Sequence, residues 1–140
     1  KLASSNVQKA QKGKLSWPII GSISSGFGMR KHPILGGAPL FHTGLDIAVA
    51  YGTPVKASAS GKVIYAGWYG GYGNLVILDH GGNISTLYGH LSKIIVKIGE
   101  EVAEGEIVGY VGTTGLSTGP HLHFEVRVDG SPVNPTGWLK

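Results

Sequence analysis

The stretch that decides the fold spans residues 74–91 and comprises NLVILD (74–79), HGG (80–82) and NISTLYGHL (83–91). The two outer segments are rich in apolar and β-branched residues, and the paired glycines between them are typical of a tight hairpin. We therefore predict two antiparallel strands joined by a short turn. Similar segments separated by glycine turns predict further strands on both sides, at residues 22–27, 45–49, 54–57, 61–68, 94–98, 107–111 and 121–128.

The composition agrees with a single all-β domain. The chain has 140 residues, enough to bury a core, and 24 of them are glycine. Only 14% of the residues are charged, and signals for helix are nearly absent after residue 14. We predict a domain of mainly antiparallel sheet over residues 15–140, preceded by a linker or the tail of an upstream segment at 1–14. Residues 26–39 are predicted to form a long loop, a feature that usually serves function.

The chain does not begin with methionine and has neither a signal-peptide core nor an apolar run of 18 residues. We expect a monomeric domain cut from a longer protein, with no transmembrane segment here and with its targeting signal elsewhere. Its net charge of +4 suits a polyanionic partner such as nucleic acid, an acidic membrane surface or an anionic cell wall. Nucleic acid is disfavoured because the lysines are scattered rather than clustered.

Two short motifs carry the candidate chemistry: His42-Thr43-Gly44-Leu45-Asp46 and His121-Leu122-His123. Together they supply three nitrogen or oxygen ligands and a spare imidazole, the inventory of a hydrolytic zinc site. Alternation along a strand places His121 and His123 on one side, roughly 6.6 Å apart, and Leu122 on the other. Two imidazoles so placed can share one metal, or one can bind it while its neighbour reaches the substrate. The absence of cysteine excludes a thiolate site.

The spacing of His42 and Asp46 requires a bend. On a straight strand the pair would lie about 13 Å apart. We infer that Gly44 bends the chain, so that a loop residue and a strand residue converge on one ion. His90 ends a predicted strand beside Gly89, a position typical of an active-site rim.

Other motifs have plainer interpretations. His32 and His80 lie beside turn residues and are predicted to be hydrogen-bonded or surface residues. The glycines of residues 67–73 are not followed by Gly-Lys-Ser/Thr, which disfavours a phosphate cradle and favours turns or a groove wall. The aromatic residues Trp68, Tyr69 and Tyr72 either line that groove or pack in the core or rim.

These motifs, in this order, resemble the M23 metallopeptidases, the lysostaphin-like or LytM-type peptidoglycan endopeptidases. The resemblance runs from about Trp17 to Asn134. It rests on SGFGMR (25–30), HTGLD (42–46), YGN (72–74), DHG (79–81), YGHL (88–91) and STGPHLHFE (117–125).

The resemblance implies a sheet with a substrate groove flanked by loops, related to barrel-sandwich hybrid folds. It assigns one Zn2+ to His42, Asp46 and His123, and catalysis to His90 and His121, without saying which of the two is the general base. Asn74, Tyr72 and Trp68 are expected in the substrate groove. The implied activity is hydrolysis of cross-link or stem peptides in bacterial peptidoglycan by a metal-activated water, outside the cytoplasm (periplasm, cell wall or secreted).

Two alternative functions compete with a zinc peptidase. Some relatives have lost metal ligands and act as non-catalytic modules that bind peptidoglycan or activate a cell-wall amidase, but here all ligand positions are intact. The strand pattern also resembles lipoyl, biotinyl and histidine-phosphocarrier domains. Lys62 lacks the exposed hairpin setting of a carrier lysine, and a phosphocarrier has no use for Asp46.

Overall fold

The computed structural model describes residues 12–30, 40–117 and 119–140. Most of the expected linker at 1–14, residues 31–39 of the expected loop at 26–39 (which include His32) and Thr118 lie outside the described residues. The described part of that expected loop contains a short strand at Gly28–Arg30, because these residues pair with residues 40–42.

The described residues form twelve strands and two short 3-10 turns, so the prediction of an all-β chain is confirmed. The 3-10 turns are Gly70–Tyr72 and Pro135–Gly137. The strands are β1 (Ser22–Ser25), β2 (Gly28–Arg30), β3 (Leu40–His42), β4 (Leu45–Ala48), β5 (Pro54–Lys56), β6 (Gly61–Trp68), β7 (Asn74–Asp79), β8 (Ile84–Ile94), β9 (Glu101–Val102), β10 (Ile107–Val111), β11 (His121–Val128) and β12 (Ser131–Val133).

One antiparallel sheet dominates the described structure, with the strand order β1-β4-β11-β8-β7-β6-β9. Along one edge β8 pairs with β7. Along its other edge β8 pairs first with β11, through residues 84–89, and then with β10, through residues 91–94. β10 also pairs with β5, β12 extends β11, and β2 and β3 form a separate hairpin. The change of partner on β8 falls at residue 90.

Four predicted strands have the bounds observed, namely 61–68, 74–79, 107–111 and 121–128. The predicted strand at 94–98 is wrong. β8 continues past Gly89 and His90 to Ile94, and residues 95–98 lie outside the strands. The strand predicted at 83–91 therefore ends three residues too early, just past the point where β8 changes its partner from β11 to β10.

Alternation along the central strands separates a core face from a functional face. Leu122, Phe124 and Val126 of β11 are fully buried, and they share the core with Tyr88 and Leu91 of β8. Adjacent side chains of a strand point to opposite faces, so residues 121, 123, 125 and 127 of β11 lie on the other face. No helix in the described part of the chain reaches the length and apolarity needed to cross a bilayer.

Candidate metal centre

Strand register places Asp46 of β4 directly opposite His123 of β11. The Nδ1 atom of His123 lies 2.8 Å from Oδ1 of Asp46. Burial by itself lowers the pKa of His123, but hydrogen bonds with the carboxylates of Asp46 and Glu125 outweigh it and raise that pKa to about 9. The surroundings therefore favour positive charge at this point of the sheet.

His42 reaches the same point through the short turn between β3 and β4. Gly44 lies in that turn against β11, where an added Cβ would come within 2.3 Å of the backbone oxygen of Phe124. The chain bends here as expected, although His42 itself ends strand β3 rather than lying in a loop. Its Nε2 lies 3.2 Å from Oδ2 of Asp46, and its Nδ1 lies 2.7 Å from the carbonyl oxygen of Gly26. That carbonyl accepts the Nδ1 proton and leaves Nε2 free to bind a ligand.

The donor set of His42, Asp46 and His123 fits a divalent metal ion. One ligand atom from each residue lies within 4.8 Å of the other two. Zinc binds imidazole nitrogen and carboxylate oxygen at about 2.0–2.2 Å, so ligand atoms on one ion stand about 3–4 Å apart. Two imidazoles and one carboxylate thus need only small adjustments to share an ion. Each histidine also has its second ring nitrogen hydrogen-bonded, as metal-binding histidines usually do.

A β-bulge turns His90 towards the groove. Asn74 and Val76 of β7 pair with Leu91 and Tyr88 of β8, so β8 holds one more residue than β7 over this interval. His90 adopts φ = 60°, a left-handed conformation uncommon for a residue with a side chain. Without the extra residue, His90 would share the core face with Tyr88. The bulge reverses the alternation, which places Leu91 in the core and His90 on the functional face.

Backbone carbonyls orient both remaining histidines. Nδ1 of His90 lies 2.7 Å from the carbonyl oxygen of Thr114, and Nδ1 of His121 lies 2.9 Å from that of Gly119. Each ring therefore keeps Nε2 as its free nitrogen. The two ring centroids lie 4.8 Å apart, and Nε2 of His121 is 3.6 Å from Oδ1 of Asp46. Burial lowers the pKa of His90, which makes the neutral imidazole its dominant form at pH 7.

The groove above these residues has a volume of about 460 Å³. Its lining consists of His42, Asp46, Gly71, Tyr72, His90, Leu116, Ser117, His121 and His123. One side is formed by residues 69–74 and 113–117, which we call the groove wall. The two halves of the wall are joined by the Leu116 N–H, which donates to the carbonyl of Gly71 over 2.9 Å.

The three residues expected in the substrate groove occupy different places. Tyr72 lines the groove, but its hydroxyl donates to Glu125 over 2.6 Å and its ring packs against His123. Asn74 is outside the lining, and its side-chain amide donates to the carbonyl of Leu91. Trp68 is also outside the lining and is 59% exposed. His80 is buried away from the groove, between the carbonyl of Ser60 and the hydroxyl of Thr86.

The sequence analysis assigned no role to Glu125, which is fully buried beside the cluster. Its carboxylate accepts hydrogen bonds from His123, Thr43, Tyr72 and Arg127. Burial by itself raises the pKa of Glu125, but these donors, His123 first, outweigh it and lower the pKa to about 2. The available signal was its position two residues after His123, since alternation puts residues 121, 123 and 125 on one face of β11.

An open antiparallel sheet that brings a histidine–aspartate cluster to one groove agrees with the lysostaphin-like fold that the motifs predict. The sequence profile described as "Peptidase family M23" matches residues 40–135. The chain belongs to peptidase family M23, and the resemblance predicted from its motifs is confirmed.

Individual relatives agree with this family. "DD-carboxypeptidase/endopeptidase Mpg" of Neisseria meningitidis is 54% identical over 113 residues, covering 81% of this chain and 26% of that protein. "Murein hydrolase activator EnvC" of Escherichia coli is 36% identical over 130 residues, covering 93% of this chain and 30% of that protein. A zinc-containing peptidase structure from Vibrio cholerae has a TM-score of 0.79 and 40% identity, covering 88% of this chain and 39% of that one. The chain thus spans about a quarter to a third of the length of these curated relatives.

Proposed function

We propose that this chain is the zinc-dependent peptidase domain of a longer protein and hydrolyses peptide bonds of bacterial peptidoglycan. The observation that carries the proposal is the convergence of His42, Asp46 and His123 at the floor of the groove. These three residues would hold one zinc ion. When bound there, zinc would lower the pKa of a water molecule and polarise a carbonyl group.

His90 and His121 are the proposed catalytic residues. Both line the groove and keep Nε2 free, because their Nδ1 atoms are hydrogen-bonded to backbone carbonyls. One Nε2 accepts a proton from the attacking water as general base. The other, in its protonated imidazolium form, donates a hydrogen bond from Nε2 to the carbonyl oxygen as that oxygen gains negative charge. His90, whose pKa is lowered by burial, is available as the neutral base at pH 7.

The substrate class is supported by the relatives and by charge. Mpg is described as a DD-carboxypeptidase/endopeptidase, which supports a D-alanyl cross-link or stem-peptide bond as the target. The net charge of +4 favours an anionic wall polymer, through an attraction that salt weakens. A domain with this substrate works outside the cytoplasm.

The test is digestion of purified sacculi by the wild-type domain, with and without a chelator, followed by mass spectrometry of the released fragments. We expect soluble muropeptides that identify one cleaved bond, and we expect release to stop when metal is removed. His123→Ala should abolish release. His80→Gln, which alters a buried histidine outside the groove, is the matched control and should keep the cleavage pattern. Equal release by wild type and His123→Ala would contradict the proposal.

The second candidate is a non-catalytic module that activates a cell-wall amidase, and the similarity to EnvC is the observation that favours it. The two candidates differ in their need for metal. An activator would stimulate an added amidase equally well as wild type, as His123→Ala or after chelation, and would release nothing alone. The complete set of His42, Asp46 and His123 favours the peptidase.

A further inference from the structure

The carboxylate of Glu125 is fully buried, receives four hydrogen bonds and forms an ion pair. Oε2 accepts from Nε2 of His123 at 2.8 Å, from Oγ1 of Thr43 at 2.6 Å and from the hydroxyl of Tyr72 at 2.6 Å. Oε1 accepts from Nε of Arg127 over 2.8 Å, and Nη2 of the same guanidinium lies 2.7 Å from Oε1 in the ion pair. The carboxylate therefore joins four side chains that come from three separate parts of the chain.

Each of the three donors to Oε2 belongs to a segment that builds the site. His123 is a candidate ligand on β11. Thr43 lies in the turn between the other two candidate ligands, His42 and Asp46. Tyr72 belongs to the groove wall and packs against the His123 ring, with centroids 5.6 Å apart. Gly89 lies beside this packing, and an added Cβ there would crowd the Tyr72 ring at 3.3 Å.

The contact between Glu125 and His123 selects the ring nitrogen that faces the ion site. An ionised carboxylate only accepts hydrogen bonds, so Nε2 of His123 carries the proton in this contact. Without metal, Nδ1 donates to Asp46 over 2.8 Å. A metal ion would displace that proton, and because Glu125 holds the other proton on Nε2, the lone pair of the neutral ring would then be on Nδ1. If Glu125 did not hold Nε2, the ring could exchange its tautomer or rotate, and neither nitrogen would be directed reliably towards His42 and Asp46.

The need to neutralise Glu125 with Arg127 does not explain the three hydrogen bonds that Oε2 accepts. A buried carboxylate needs a counter-charge, and the guanidinium of Arg127 supplies one through a hydrogen bond and an ion pair with Oε1. The three donors on Oε2 are additional, and all of them lie on the side of the candidate metal site.

We propose that Glu125 is a positioning residue for the metal centre, which fixes the tautomer of His123 and, through Thr43, the turn that carries His42 and Asp46. The inference rests on the proposed zinc site. Hydrogen-bond partners behind metal ligands typically contribute 10- to 100-fold to metal affinity.

The experiment measures zinc affinity by chelator competition in wild type and three variants. Glu125→Gln retains the side-chain shape but cannot satisfy donors on both oxygens, so we expect zinc binding to weaken about 10- to 100-fold. Thr43→Val removes a single donor and should weaken binding by a smaller factor. Glu104→Gln changes an exposed acid paired with Lys140, far from the groove in the fold, and should leave affinity unchanged.

A second readout separates positioning from general damage. In the zinc-loaded protein, long-range ¹⁵N correlation spectra should show the His123 proton on Nε2 in wild type and in Glu104→Gln. Exchange or loss of that signal is expected in Glu125→Gln while unfolding stays cooperative. If Glu125→Gln does not fold, Thr43→Val and Tyr72→Phe, each of which removes one donor to Oε2, take its place.

The outcomes separate the two proposals. Zinc affinity within twofold of wild type in Glu125→Gln, or in both replacement variants, would overturn the positioning role and leave the proposed function standing. Wild type that binds zinc but releases nothing from sacculi would overturn the peptidase proposal and leave the positioning role standing. Wild type that binds no zinc would overturn both.

Discussion

Gly115 provides a sharp test of how the groove wall positions His90. Gly115 has φ = 76°, and an added Cβ would lie 2.4 Å from the nitrogen of Gly73 and 2.5 Å from the oxygen of Gly71. The same wall contains Gly70, which has φ = 51° and open space around its Cα. Substitution by alanine therefore strains the backbone at both positions but creates a steric clash only at Gly115.

The magnitude follows from these contacts. A left-handed alanine costs about 1–2 kcal/mol at either site. At Gly115 the added Cβ must also move about 1 Å away from its neighbours to reach an ordinary contact distance. This displacement separates the two halves of the groove wall and breaks the hydrogen bond from Leu116 to Gly71, which is worth about 1 kcal/mol. We expect a loss of unfolding free energy of about 2–3 kcal/mol in Gly115→Ala and about 1–2 kcal/mol in Gly70→Ala.

The effect on activity should be larger than the effect on stability. Thr114, next to Gly115, holds Nδ1 of His90 with its carbonyl oxygen, and its hydroxyl receives the N–H of Asn74 and donates to Leu91. A displacement of about 1 Å in a catalytic group costs on the order of 10²-fold in rate. Initial rates of muropeptide release, measured below the unfolding temperature of both variants, test this. Equal loss of rate in Gly70→Ala and Gly115→Ala would refute the argument.

Three further predictions concern the core, pH and metal binding. Phe124→Ala should lower the free energy of unfolding in urea by about 3–5 kcal/mol, because it empties a fully buried site; a loss below about 1 kcal/mol would contradict this. Burial lowers the pKa of His80 below its usual 6.5. Below pH 6.5, His80 therefore binds a proton more readily in the unfolded chain than in the folded chain. Stability should therefore fall as pH drops below 6.5, and His80→Gln should show a shallower fall in urea titrations across pH 5–7.5. The pKa of about 9 for His123 without metal means that zinc must displace a proton at pH 7.5. Calorimetry in buffers of different ionisation enthalpy should detect release of about one proton, and affinity independent of pH between 6.5 and 8.5 would refute it.

The sequence alone predicts the strands correctly where segments with apolar patterning are bounded by glycine turns. The hairpin of β7 and β8, and the strands β6, β10 and β11, follow directly from apolar patterning. The two-residue strand β9 and the strand β12 are too short for periodicity to reveal. The strand predicted at 83–91 includes Gly89 but ends three residues before Ile94, the last residue of β8. The missed residues pair with β10 rather than β11, and apolar patterning does not reveal this change of partner.

For the candidate site, residue identity could be predicted but the reasons for its geometry could not. His42, Asp46, His90, His121 and His123 were singled out from motifs, and the structure brings all five to one groove. The face of the sheet to which the His90 side chain points depends on a register shift between β7 and β8, and a single sequence carries no signal for such a shift. Glu125, whose carboxylate lies behind His123, is marked in the sequence only by its position two residues after His123 on the same face of β11.

The pairing of Asp46 with His123 has a consequence for how the protein becomes active. These residues are 77 positions apart in the chain and meet only when β4 and β11 align in the correct register. Slippage by a single residue would turn one partner away and expose the apolar face of the strand. A nascent or partly folded chain therefore has no assembled ion-binding centre. In the proposed peptidase, hydrolytic competence would emerge only with the completed sheet, so unfinished copies would be harmless to the peptide bonds of the wall.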